Sequence, residues 1–225
     1  MIRQIDLNAY CAGHLSGSIL NDRIVAFPQS FVTEAKVLGA AAHRTGDGFE
    51  TVQYLFEEPE ALLGLPCIAE AEPVRRVLEQ IRGAPKDKTL LLKANGPYSI
   101  LASLIDPRHL YRWLVKHRPT VRQALDRITA DLAEYLCAAA ACGVSIISLA
   151  DPYANLEVLG EKRYREFAAP FLMRLMRDIA SGVDGCVEKP GVLLHLCPTI
   201  RFPSCGWDTW TSGISRSNTI HISTR

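Results

Sequence analysis

The chain has 225 residues, 48% of them hydrophobic and 22% charged, with a formal net charge of +1. That near-neutral balance, without a long Lys/Arg run, argues against nucleic acid as a partner, and no apolar stretch reaches the roughly 18 residues that suggest a membrane span. The opening Met1-Ile-Arg-Gln-Ile-Asp-Leu-Asn8 has no apolar signal core, so a soluble, cytoplasmic chain is expected.

Residues 1–23 carry no clear period and are expected as an irregular N-terminal extension. Ile24 to Phe27 predicts a short strand ending at Pro28. Ser30 then opens a helix with Glu34 supporting its first turn and Val37, Leu38 and Ala41 on one face. Phe49 to Phe56 alternates as a second strand would. Pro59 to Leu65 reads as a helical turn. Pro73 to Arg82 reads as a helix with Val74, Val77, Leu78 and Ile81 inward, its proline at the position where a missing N–H costs nothing.

The third strand is Thr89 to Ala94, and the turn Asn95-Gly96-Pro97 leads it into a helix over Tyr98 to Leu104. Asp106-Pro107 caps and starts another helix. The longest helix runs from Pro119 to Cys142, striped by Val121, Leu125, Ile128, Leu132 and Leu136 and closed by Gly143. Val144 to Leu149 is the fourth strand and ends on Ala150-Asp151-Pro152. Residues 153–160 read as loop. Glu161 to Ser181 is amphipathic, with Tyr164, Phe167, Phe171, Leu175 and Ile179 aligned and Pro170 as a kink. The fifth strand is the apolar run between Pro190 and Pro198. Beyond Pro203 the tail is irregular, with only Asn218 to Ser223 strand-like. Strands alternating with helices predict a parallel α/β sheet within one domain over 1–225.

Polar residues at the C-terminal ends of such strands are where α/β enzymes place their chemistry. Three ends qualify here: Asn95-Gly96-Pro97, Asp151-Pro152, and His195-Leu-Cys197. On a strand, His195 and Cys197 project to the same side, as half of a zinc site does. The same two residues also fit a hydrogen-bonded core histidine and a small core hydrophobe. Asp151 is equally a turn starter, and Asn95 equally an Asx-turn residue. His14, His43, His109 and His117 read as solvated surface, as does the Arg112/Lys116/Arg118/Arg122 group. The seven cysteines, at positions 11, 67, 137, 142, 186, 197 and 205, read as reduced thiols, with Cys137 and Cys142 as packing residues. No Gly-rich dinucleotide loop, P-loop, Gly-x-Ser-x-Gly elbow or Cys-x-x-Cys pair is present.

These segments, in this order, resemble the uroporphyrinogen decarboxylase-like superfamily over roughly residues 30–200, and within it the zinc-dependent methylcobamide:thiol methyltransferases. Thr33 to Gly39 is similar to the family's early helix, and Asn95-Gly96-Pro97-Tyr98 to its Gly-Pro-aromatic turn. Asp151-Pro152 with Tyr164 to Phe171 is similar to the stretch from an active-site carboxylate into a Pro-containing helix. His195-Leu-Cys197 is similar to the methyltransferases' His-x-Cys zinc pair.

The resemblance implies a (β/α)8 barrel of the TIM type. About five βα units are recognisable, so an incomplete, C-terminally truncated barrel with an irregular tail over 203–225 is expected. It further implies zinc held by His195, Cys197 and a third ligand, with Cys205 the downstream candidate and His221 its alternative. Asp151 takes the catalytic position, and Asn95, Gly96 and Tyr98 the substrate-binding ones. The implied partners are a corrinoid protein that supplies methylcobamide and a small thiol or other methyl acceptor. The stretch Ile24 to Ser30 lacks the decarboxylases' Arg-rich run, which disfavours a polycarboxylate porphyrinogen, whose acid groups need cationic partners. A lyase acting on a different acid, and a degenerate inactive member, are the alternative expectations.

Overall fold

The computed structural model describes residues 24–27, 33–44, 50–184, 189–195 and 219–222. Its main sheet contains β1 (Ile24–Phe27), β4 (Thr89–Asn95), β5 (Ile146–Ala150), β6 (Gly191–His195) and β7 (Thr219–Ile222), in that spatial order. β1, β4, β5 and β6 pair in parallel, and β7 runs antiparallel to β6. The all-parallel expectation is corrected at that last strand; an antiparallel neighbour needs no helical crossover.

The second predicted strand is corrected too. Among its described residues Glu50–Val52 (β3) forms a strand, paired antiparallel with Ala42–Arg44 (β2) in a separate two-stranded sheet, and Phe56 makes an isolated parallel bridge with Ile105. Beyond Val52 the backbone is claimed by a different partner, because the N–H groups of Leu55 and Phe56 donate to the Leu104 carbonyl.

The helices are α1 (Thr33–Val37), α2 (Glu72–Arg82), α3 (Pro97–Ser103), α4 (Pro107–Lys116), α5 (Arg118–Ala141), α6 (Leu156–Arg163) and α7 (Ala169–Gly182), with a 3₁₀ turn at Pro59–Gly64. Val74, Val77, Leu78 and Ile81 of α2 are buried as their spacing requires. Asp106 caps α4 by accepting from Arg108 N at 2.8 Å. Gly143 sits at φ 104 just past α5, a conformation that favours glycine. The five-residue stripe of α5 is fully buried. At roughly 2 kcal/mol per side chain it contributes on the order of 10 kcal/mol, comparable with a whole domain's net stability, so α5 anchors the fold.

Residues 153–160, expected as loop, contain most of α6. Asn155 caps it by accepting from Glu157 N at 2.8 Å, and Gly160 interrupts it at φ 71. Of its residues only Leu159 is buried, which left no apolar period to detect. The kink expected at Pro170 takes the form of a π-helical turn over Tyr164–Ala168 directly before α7. The proline lacks the N–H needed to carry a regular helix through that point.

Leu90, Leu92 and Ala94 of β4, Ile147 and Leu149 of β5, and Val192 and Leu194 of β6 pack with the helices in one core. Alternation therefore puts Lys93 and Asn95 of β4 on the opposite face of the sheet.

Candidate functional site at the strand ends

Register lines up the strand ends. Asn95 pairs with Ala150, Ala150 with His195, and His195 with Thr219, so β4, β5 and β6 finish on one row, where antiparallel β7 begins. Two of the polar turns lie at that row, at Asn95-Gly96-Pro97 and Asp151-Pro152. The backbone of His195 completes it; the His195 side chain, Cys197 and Cys205 lie outside what is described, and His221 is placed by its backbone in β7 opposite Leu193. Among the described residues no three His, Cys, Asp or Glu side chains converge as a metal site.

Asp151 ties the turns after β4 and β5 together. Its Oδ1 accepts from Ser99 N at 2.8 Å, and the Gly96 N–H donates to the Ala150 carbonyl at 2.7 Å. Ser99 Oγ in turn accepts from Tyr153 N at 3.0 Å. The carboxyl is 1% exposed, and burial pushes its pKa from 3.8 up to about 6 against the opposing hydrogen bonds from Ser99 and Tyr98. Oδ2 is buried with no hydrogen-bond partner among the described residues.

Gly96 is explained by the same carboxyl. Its backbone is ordinary (φ −74), but a Cβ there would collide with the Asp151 side chain. Glycine is required for close approach rather than for a left-handed turn.

On the other side of Asn95 stands Glu34 of α1. Oε1 accepts from Asn95 N at 3.4 Å and Oε2 from Asn95 Nδ2 at 3.1 Å. Glu34 is 1% exposed, and burial raises its pKa from 4.5 to about 7, with the Asn95 hydrogen bonds pulling the other way. A helix-opening glutamate was expected here; instead the side chain turns inward. Nothing local in the sequence signals this, because its partner lies 61 residues away.

Between these elements lies a cavity of about 390 Å³, lined among others by Asn95, Tyr98, Ser99, Tyr111, Pro152 and Tyr153. Tyr98 is buried, which raises its hydroxyl pKa above 10 and keeps it a neutral phenol. Tyr111 donates to the Val158 carbonyl at 2.7 Å, and the Arg163 guanidinium sits 5.7 Å from its ring centre, which ties α4 to α6 beside the cavity. Asn95 and Tyr98 both line this cavity. Asp151 is joined to that lining through the hydrogen bond it accepts from Ser99 N, and Gly96 precedes Ser99, in the same turn as Pro97. Tyr111 and Tyr153 were not anticipated.

Two surface expectations need correction. His109 is only partly exposed: its ring stacks on buried Trp113 at 6.0 Å between centres, and Nδ1 is buried without a hydrogen-bond partner among the described residues. An (i, i+4) pair on α4 puts the imidazole over the indole. His117 is half-buried, with Nδ1 3.9 Å from Glu60. Within the basic group, Arg118 pairs with Glu166. Cys137 and Cys142 pack at the edge of the core as expected.

The chain is 23% identical over 149 residues to a methylcobamide:CoM methyltransferase of Methanosarcina barkeri, covering 64% of this chain and 40% of the relative. It is 27% identical over 102 residues to a methylated-thiol–coenzyme M methyltransferase of Methanosarcina mazei, covering 45% and 25% respectively. The chain thus matches less than half the length of these curated relatives. A solved methyltransferase from Methanosarcina mazei superimposes with a TM-score of 0.63 at 20% identity, over 80% of this chain and 53% of that one. That likeness shows the α/β fold of the barrel type, incomplete among the described residues, with five strands in the main sheet. No helix among the described residues is long and apolar enough to cross a membrane. Residues 25–222 match the family model described as uroporphyrinogen decarboxylase (URO-D), and the chain belongs to that family.

Proposed function

We propose that this chain is a methyltransferase that moves a methyl group from the methylated corrinoid of a partner protein to a thiol. The observation that carries the reading is the row of strand ends: register brings the His195 position level with Asn95 and beside the Asp151 turn. The names of the curated relatives support it. A His-x-Cys pair starting at that row suits zinc, a borderline metal that takes nitrogen and thiolate ligands. His195 and Cys197 would hold it, with Cys205 the third candidate. Bound zinc lowers the pKa of a coordinated thiol and so makes it nucleophilic near neutral pH.

The chain's own residues have separable tasks. Asn95 and Tyr98 line the cavity and orient the acceptor through an amide and a neutral phenol. Asp151 fixes the two turns that carry them and, with its pKa near 6, holds or releases a proton in the working range. The test is zinc per chain in protein purified without added metal, alongside Cys197→Ser, followed by thiol methylation with a methylated corrinoid protein. Zinc near one per chain in wild type, and loss of both zinc and transfer in the variant, is the expected result. Retention of zinc in the variant would sink the ligand assignment.

A second reading, a lyase acting on an acid other than a porphyrinogen, is favoured by the raised pKa of the buried Asp151 carboxyl. It predicts carbon dioxide release that is insensitive to chelators and lost in Asp151→Asn.

A further inference from the structure

The two hydrogen bonds between Glu34 and Asn95 have a chemical consequence. An ionised carboxylate only accepts hydrogen bonds. Both oxygens are used: Oε1 takes the Asn95 backbone N–H, and Oε2 takes the side-chain Nδ2. The carboxamide must therefore turn its NH₂ end toward Glu34, and its carbonyl end is turned the opposite way. Asn95 also lines the cavity.

We propose that Glu34 is a positioning residue for Asn95: by accepting from its backbone N–H and from one hydrogen of Nδ2 it fixes which way the carboxamide faces beside the cavity. A carboxylic acid or an amide at residue 34 would reverse this. Either offers a hydrogen where Oε2 now accepts, so the Asn95 amide gains by turning its carbonyl oxygen toward residue 34. Only the identification of this cavity as the acceptor site rests on the function proposed above; the control of Asn95 by Glu34 does not.

Two acids near Asn95 titrate around neutral pH: residue 34, and Asp151 on the turn after β5, whose pKa of about 6 lies below the value of about 7 for Glu34. From α5 the hydroxyl of Tyr135, buried and without a hydrogen-bond partner among the described residues, lies close enough to feel the Glu34 charge. Tyr98 is the titratable residue of the neighbouring α3, and Lys93 shares with Asn95 one face of β4. On α2 the charged residues Glu72, Arg75, Arg76, Glu79 and Arg82 are exposed, as is Lys36 on α1 itself. Burial holds Glu34 near the midpoint of its titration at neutral pH.

The experiment is an NMR titration of the full chain with labelled Asn side-chain amides and Glu carboxyl carbons, from about pH 5 to about pH 9, in wild type and Glu34→Gln. Asn95 signals are assigned by their loss in Asn95→Ser. In wild type the Asn95 amide resonances should shift with the same midpoint as the Glu34 carboxyl. In Glu34→Gln they should sit at a new position and lose the transition at the Glu34 midpoint, keeping only a shift that follows Asp151 and is absent in Asp151→Asn, with the circular dichroism spectrum unchanged. Asn95 resonances that stay in place in the folded variant overturn the proposal. Should the variant fail to fold, the wild-type pair decides: a shared midpoint supports the proposal, and separate behaviour overturns it. Neither measurement involves zinc, a corrinoid or methyl transfer, so a failure here leaves the proposed function standing, and the reverse.

Discussion

Replacing Asp151 with asparagine should stabilise the protein at alkaline pH while removing whatever proton chemistry the carboxyl performs. The folded-state pKa is raised from 3.8 to about 6, so the folded state binds the proton more tightly than the unfolded one. The sign follows: stability from this group is fully present below 3.8 and is lost as pH rises through about 6. At 1.36 kcal/mol per pKa unit, the rise amounts to about 3 kcal/mol between the two plateaus. The amide keeps the acceptor for Ser99 N–H but puts a donor where Oδ2 now lies unpartnered, which adds a pH-independent cost of about 1–3 kcal/mol. That offset does not change the slope. Urea unfolding followed by tryptophan fluorescence, at about pH 4 and about pH 8, should therefore show wild type losing about 2–3 kcal/mol relative to Asp151→Asn across the interval. A difference between the two proteins that stays constant, or one that favours wild type as pH rises, would mean that the carboxylate is ionised and well paired in the folded state.

Other perturbations test the packing around the same ends. Gly96→Ala drives a methyl into the Asp151 carboxyl and should cost about 1–3 kcal/mol, read as a drop in melting temperature. The cost should shrink in the Asp151→Gly background. Gly182→Ala meets only the Cys137 sulfur and then its Cβ, so it should destabilise alone and be restored by Cys137→Ala, a coupling readable in a double-mutant cycle. Ile128→Ala in the buried stripe of α5 should cost about 2–5 kcal/mol in urea unfolding, with the loss of transfer free energy enlarged by the cavity it leaves. A cost below about 1 kcal/mol would show that α5 does not anchor the core.

Periodicity served where burial is one-sided and continuous. The α2 and α5 stripes, the aligned aromatics from Tyr164 to Ile179, and the strands entering Asn95 and Asp151 all follow from it, because an apolar face must meet a core. It failed where the backbone is held by single long-range bonds. Phe49 to Phe56 alternates like a strand, yet the Leu104 carbonyl takes two of its N–H groups and ends the pairing after Val52. α6 escaped because a cap at Asn155 makes it without an apolar stripe. Within the candidate site, the strand-end residues were legible from their position after apolar runs. Glu34 was not: a glutamate two residues into a helix has the same sequence signature whether it faces water or a partner 61 residues on.

The two buried carboxyls also bear on why this corner is built as it is. Glu34 and Asp151 flank the short Asn95-Gly96 segment, both carry pKa values raised by burial, and both oppose folding once ionised. Neither has a salt-bridge partner among the described residues, whereas the exposed acids Glu72, Asp106 and Glu161 each pair with an arginine. A hydrophobic residue at either position would fill similar space at lower electrostatic cost, so packing does not account for them. What they do provide is a fixed orientation for the groups lining the cavity: one acid directs the Asn95 amide, and the other holds the turn that carries Tyr98 and Ser99. Cost concentrated at the strand ends, among described residues whose other buried side chains include no acid or base of the Asp, Glu, Lys or Arg type, is the pattern expected where structure is held for binding rather than for stability.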